Sequence, residues 1–131
     1  MPSMSEDQFT IIDRLQEIKE SIELILQWSE GMTSAHDFML SPSRVMAFNA
    51  CVMRLQVIGE HVGKLLRSNN LVLEKYPQIP WHAIYGMRNL ISHEYANINE
   101  NIVVDVINNE LPILMEVIND MLSNNSNSSN S

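Results

Sequence analysis

The 131-residue sequence has little cysteine, glycine or aromatic content, and each shortage excludes a class of protein. The single cysteine, Cys51, cannot form an internal disulfide, which excludes a disulfide-stabilised secreted domain and favours a reducing cytosol. Four glycines and three phenylalanines argue against a loop-rich or all-β fold. No apolar run reaches the ~18 residues of a membrane span. Residues 1–7 lack the basic start and apolar stretch of a signal peptide, so we expect one cytoplasmic domain.

Charge is distributed unevenly along the chain. The net charge of −8 argues against broad binding to nucleic acid. However, residues 44–88 hold six basic and two acidic residues, for a local charge of +4, whereas residues 1–43 and 89–131 each carry −6. The sequence therefore predicts a local positive cleft near the end of the middle segment, with weak and salt-sensitive binding of RNA.

Apolar residues recur at three- and four-residue steps, which predicts helices and an all-α fold. The first helix is expected from about Ser5 to Ser29. The second is expected from Pro42, behind the N-cap Ser41, to about Arg67. Gly59 lies inside the second helix and costs about 1 kcal/mol relative to alanine. We therefore expect another helix to approach the chain closely at Gly59.

The second half of the chain predicts two further helices and a tail. A third helix is expected to start near Pro80. Asn97-x-x-Glu100 resembles a capping box for the last helix, which Pro112 should kink. Residues 123–131 contain only serine and asparagine, so we expect a disordered tail behind a helical domain at 1–122. The prediction is an up-down bundle of four main helices, dimeric because its first two apolar stripes are wide.

The segment from Arg88 to Tyr95 concentrates the groups that phosphodiester chemistry needs. Arg88 offers a planar fork of donors for phosphate, and His93 titrates nearest to neutral pH. On a straight helix these two positions are about 140° apart, so one helix does not bring them together. Either the helix breaks near Ser92, or two subunits face their motifs across a dimer axis. Cleaving RNA without a metal requires both a base and an acid, and a dimer supplies two histidines.

The same segment resembles a known family. Arg-x4-His-x-Tyr at 88–95, with Asn89 directly after the arginine, resembles the signature of the HEPN superfamily. The stretch at 76–89, with its Pro-Gln-Ile-Pro-Trp, is similar to the HepT-like branch, as are Arg54 and Ile58-Gly59-Glu60. The resemblance covers roughly residues 6–122. It implies a dimeric helical ribonuclease toxin that cuts RNA without metal in a cleft between subunits.

Each motif residue then has an expected role. His93 is the general base or acid, and Arg88 holds the scissile phosphate and stabilises its transition state. Asn89 orients His93 or binds the substrate, and Arg54 is a second candidate for binding or orienting. The resemblance implies that Tyr95 is the site at which a nucleotidyltransferase antitoxin attaches AMP, which would block the phosphate-binding cleft.

Other interpretations stay open from sequence alone. The chain could be a non-catalytic helical partner that binds a nucleotidyltransferase or a nucleotide, or a plain dimeric bundle. Glu94 departs from the small or neutral residue expected inside the motif and puts activity in question. His36, His61 and His82 show no His-x3-His spacing and no cysteine pairing, so no metal or other cofactor is expected. Neither DNA nor a membrane is an expected partner.

Overall fold

The structure, a computed structural model, is built from helices. It describes residues 3–93 and 98–130, with side chains described for 10–88 and 98–124. No strand occurs in these ranges, which confirms the predicted all-α class. None of the described helices has a stretch long and apolar enough for a bilayer span. The helices are α1 Ser3–Trp28, α2 Ala35–Phe38, α3 Pro42–Ser68, α4 Asn70–Glu74, α5 Trp81–His93, α6 Glu100–Asp105, a π-helical turn Val106–Glu110 and α7 Leu111–Asn130.

The core lies where α1 packs against α3 and α7. The apolar stripe predicted for the first helix is fully confirmed, because all five of its residues are buried. In α3 the predicted stripe is buried except for Val45, which is half-buried. Helix α5 packs against the other side of α3, so α3 has neighbours on two faces. The residues of the α1 stripe are Ile11, Leu15, Ile18, Ile22 and Ile25.

Local signals set several helix ends as expected. The Ser41 hydroxyl accepts a hydrogen bond from the Arg44 amide at 3.3 Å and caps α3 ahead of Pro42. After α1, Gly31 adopts a φ of +80°, the left-handed backbone that favours glycine at helix ends.

The predicted capping box at Asn97 is wrong. Helix α6 begins at Glu100, and the side chain of Asn99 caps it by accepting hydrogen bonds from the amides of Asn101 and Ile102. Asparagine is as good an N-cap as any residue. The choice between two asparagines two positions apart was therefore not decided by local sequence.

A π-helical turn, Val106–Glu110, precedes Pro112 and accommodates its missing N–H. Proline lacks the N–H that would bond to the carbonyl of Asn108, and its ring crowds that carbonyl. The chain instead forms a wider turn in which the Leu111 amide bonds to the carbonyl of Val106, five residues back. The extra residue rotates the apolar face by about 100°. Ile102, predicted to belong to one continuous buried stripe, is therefore 50 % exposed.

Helix α7 continues past Ser123, where the sequence predicts a disordered tail. The amide of Asn124 donates to the hydroxyl of Tyr76 at 3.1 Å, and the same hydroxyl donates to the Asp120 carboxylate at 2.6 Å. These contacts hold the loop before α5 against α7. The expectation of a disordered tail from Ser123 stays a prediction.

Candidate functional site

Helix α5, which carries the first half of the motif, is anchored at its first residue. Trp81 is buried, and its indole N–H lies 3.1 Å from the carbonyl oxygens of both Leu73 and Tyr76. A buried indole needs such a partner, because an unpaired N–H in the core is costly. Trp81 therefore anchors α5 in the core. Since Trp81 starts α5, these bonds position the whole motif helix.

Helix α5 approaches α3 closely at Gly59. A Cβ atom at position 59 would lie 2.7 Å from the Cβ of Arg88 and 3.2 Å from the carbonyl oxygen of Ile84. The predicted close approach at Gly59 is therefore confirmed, and its partner is the motif arginine. Arg88 is half-buried, with its stem against the backbone of α3. Only glycine, which lacks a Cβ, leaves room for the Cβ of Arg88 at this contact, so Gly59 determines how closely Arg88 packs on α3.

A second contact of the same kind lies one turn further along α3. A Cβ at Gly63 would clash with two ring atoms of Tyr85, because the ring rests directly on the α3 backbone. The hydroxyl of Tyr85 accepts a hydrogen bond from Arg67 at 3.3 Å, and the Arg67 guanidinium carbon lies 5.8 Å from the ring centroid. Sequence reasoning missed Gly63, Tyr85 and Arg67. The spacing of four between the two glycines was the available signal, since it puts both on one helix face.

The helix through the motif is continuous as far as His93. Within the described residues α5 shows no break between positions 88 and 93, and residues 94–97 lie outside them. Positions 88 and 93 then lie about 140° apart around α5, while position 89 lies about 40° from position 93. The side chains of Asn89 and His93 lie outside the described residues, as does the whole of Tyr95.

The face of α5 that carries Gly86 is exposed among the residues that the structure describes. Gly86 lies seven residues before His93, and hence on nearly the same face. It is exposed, and a Cβ there would meet nothing within 4 Å. His82 and Ala83 on this side are also exposed. Arg88 thus faces α3, and position 93 lies about 140° from it around α5.

Arg54 contacts a different neighbour from Arg88. Its guanidinium lies 3.5 Å from the hydroxyl of Ser21, a fully buried residue of α1. Around α3 it lies about 140° from Gly59, the position that faces α5. The single chain therefore turns Arg54 towards α1. Its role in substrate binding stays a prediction.

Cys51 does not supply a further nucleophile. It is fully buried, and burial raises the pKa of its thiol to about 12. The thiol donates instead to the carbonyl of Ile25 at 3.8 Å. Cys51 is therefore a core residue. Within the described ranges, no three histidine, cysteine, aspartate or glutamate side chains are grouped to hold a metal ion.

Comparison with known proteins adds an independent finding. The family model for "Ribonuclease HepT-like" matches residues 18–121. A protein of Caldanaerobacter subterraneus subsp. tengcongensis, provisionally named an RNase, is 32% identical over 108 residues, which cover 82% of this chain and 90% of that one. The mRNA nuclease HepT of Shewanella oneidensis is 26% identical over 117 residues, covering 77% of this chain and 87% of that one. No solved structure matches the chain significantly.

Proposed function

The chain belongs to the HepT-like ribonuclease family, and from that premise we propose that it is an endoribonuclease toxin that cuts RNA without a metal ion. The observation that carries the proposal is the geometry of α5. The helix is unbroken to His93, and Arg88 packs on α3 while position 93 lies on the open side. One subunit therefore presents these two groups in different directions, and a second subunit is needed to complete the site.

The chemistry requires two proton-transfer groups. A base takes the proton of the 2′-hydroxyl, whose oxygen attacks phosphorus. The bond to the 5′-oxygen breaks, and an acid returns a proton to that oxygen. Two copies of His93 supply base and acid across a two-fold axis, and two copies of Arg88 stabilise the charge on the phosphate. Asn89 orients His93 or binds the RNA, and Arg54 is a further candidate for that role.

Gly86 supports a dimer contact on the open face of α5. Glycine in an exposed helix interior costs about 1 kcal/mol relative to alanine, and none of the described residues lies close enough to require the missing side chain. A helix from a second subunit packed against Gly86 accounts for it. The contact would continue over the groove beside Gly86, where Ile102 is 50 % exposed. This arrangement brings the two copies of position 93 towards each other.

The proposed partner besides RNA is a nucleotidyltransferase antitoxin in the cytoplasm. It would attach AMP to Tyr95, two residues after His93. The added phosphate brings negative charge into a cleft that must bind phosphate, so it should prevent RNA binding. The resemblance to HepT-like toxins supports this part of the proposal.

The first experiment is RNA cleavage in excess EDTA by protein whose intact mass shows an unmodified Tyr95. We expect the wild type to cleave, and His93→Ala and Arg88→Ala each to lose activity by about 10²-fold or more while remaining dimeric. The matched control is His36→Ala, an exposed histidine on α2, outside the motif and outside α5. Equal activity of His93→Ala and the wild type would refute the proposed mechanism. No cleavage by a dimeric wild type would favour the non-catalytic role.

The dimer contact is tested separately with Gly86→Glu. A charged side chain on the contact should give a folded but monomeric protein without activity. Leu71→Glu is the control, because Leu71 is 71 % exposed on α4. Sedimentation velocity and circular dichroism distinguish a monomer from an unfolded chain. A Gly86→Glu protein that remains dimeric would exclude this face as the contact.

A further inference from the structure

The pair formed by Arg67 and Tyr85 lies beside the motif and takes no part in the proposed chemistry. We propose that Arg67 binds an RNA phosphate that flanks the scissile one, and that Tyr85 holds its guanidinium in place. The inference rests on the proposed ribonuclease function and adds a substrate-binding position to it.

The placement of Tyr85 on α5 connects the pair to the motif. Positions 85, 89 and 93 are four residues apart and follow one ridge, which turns by about 40° at each step, from Tyr85 against α3 towards the open side at position 93. The ridge rises about 12 Å from position 85 to position 93. Arg67, which contacts Tyr85, is therefore too far along the ridge to share the phosphate at His93. It is close enough to meet the backbone of a neighbouring nucleotide.

Arg67 is held by contacts that leave most of its donors available. The Tyr85 ring rests on Gly63, where no other residue would fit without a shift of the ring. The guanidinium uses one N–H for the Tyr85 hydroxyl, at 3.3 Å, and its central carbon lies 5.8 Å from the ring centroid. A guanidinium has five N–H donors, so four remain. Such an arginine suits the two-pronged binding of a phosphate.

The charge around Arg67 is not neutralised by an ion pair. Arg67 is exposed, and no carboxylate among the described residues forms an ion pair with it. It also belongs to the segment 44–88, whose net charge is +4 in a chain of −8. A merely structural role, in which Arg67 ties α3 to α5 through Tyr85, would need the same contacts. The experiment must therefore separate RNA binding from stability.

The test compares two substrates for Arg67→Gln and Arg67→Lys, namely a dinucleotide and a longer single-stranded RNA of mixed sequence. The dinucleotide has only the scissile phosphate, so it cannot reach a flanking contact. Arg67→Gln should raise KM for the longer RNA roughly tenfold with little change in kcat. It should change cleavage of the dinucleotide much less. The slope of log KM against log salt should fall by about 0.7, the loss expected for one phosphate contact on single-stranded RNA.

Arg67→Lys keeps the charge and should recover most of the salt slope. Lys75→Gln is the matched control, because it removes one positive charge from an exposed residue. Unchanged KM and salt slope in Arg67→Gln would overturn the inference. So would an equal loss on both substrates, which indicates a structural role, or an equal effect of Lys75→Gln. A wild type that neither cleaves nor binds RNA would overturn the proposed function itself, and the Arg67 assignment with it.

Discussion

Replacing Gly59 with alanine places a methyl group where α3 and α5 touch. The new Cβ would start 2.7 Å from the Cβ of Arg88 and 3.2 Å from the carbonyl oxygen of Ile84. Ordinary carbon–carbon contacts are about 3.5–4.0 Å, so the two helices must separate locally by about 1 Å. The atoms in the way belong to the backbone and the first side-chain carbon, which cannot move aside without moving α5.

Two opposing terms set the effect on stability. Overpacking of this kind costs about 1–3 kcal/mol. Alanine regains about 1 kcal/mol of helix propensity over glycine. The net loss in the free energy of unfolding should be about 0–2 kcal/mol, so the variant should fold. Activity should suffer more, because a shift of about 1 Å at a catalytic group can reduce the rate by about 10²-fold.

Gly31→Ala is the matched control, because it should lower the stability without moving Arg88. At Gly31 nothing lies within 4 Å of an added Cβ, but φ is +80°. Left-handed backbone costs alanine about 1–2 kcal/mol. Urea unfolding and RNA cleavage should be measured for both variants. Similar stabilities with a large loss of activity only in Gly59→Ala would support the close approach. A Gly59→Ala protein about 1 kcal/mol more stable than the wild type, with full activity, would refute it.

Two further predictions concern buried groups outside the motif. Burial lowers the pKa of half-buried His61 below 6.5, and the positive charge of Arg14 adds to this. The unfolded chain therefore binds the proton more tightly, and stability should be lost as pH falls from about 6.5 through the pKa of His61 in the folded protein. The urea midpoint of His61→Gln should vary less with pH than that of the wild type. Identical pH profiles of the two urea midpoints would contradict this. Burial raises the pKa of the Cys51 thiol to about 12. A thiol reagent near pH 8 should therefore label Cys51 only after the protein unfolds. Rapid labelling of the native protein would contradict the burial of Cys51.

Much of the fold could be predicted because its causes are local. The period of apolar residues dictates which face of α1 and α3 is buried, and Ser41-Pro42 specifies where α3 begins. Prediction failed where several local solutions are nearly equal in energy. Asn99, not Asn97, caps α6, and the π-helical turn before Pro112 rotates one apolar stripe away from Ile102.

The sequence by itself determined the all-α class, the unreactive cysteine and the motif that assigns the chain to its family. It also indicated that Gly59 meets another helix, since glycine inside a helix is otherwise unfavourable. Only the tertiary structure decided that the helix is α5 and the residue Arg88. It likewise joined Arg67 to Tyr85, 18 residues away. Such pairings depend on how helices cross in space, and helical periodicity contains no information about which faces meet.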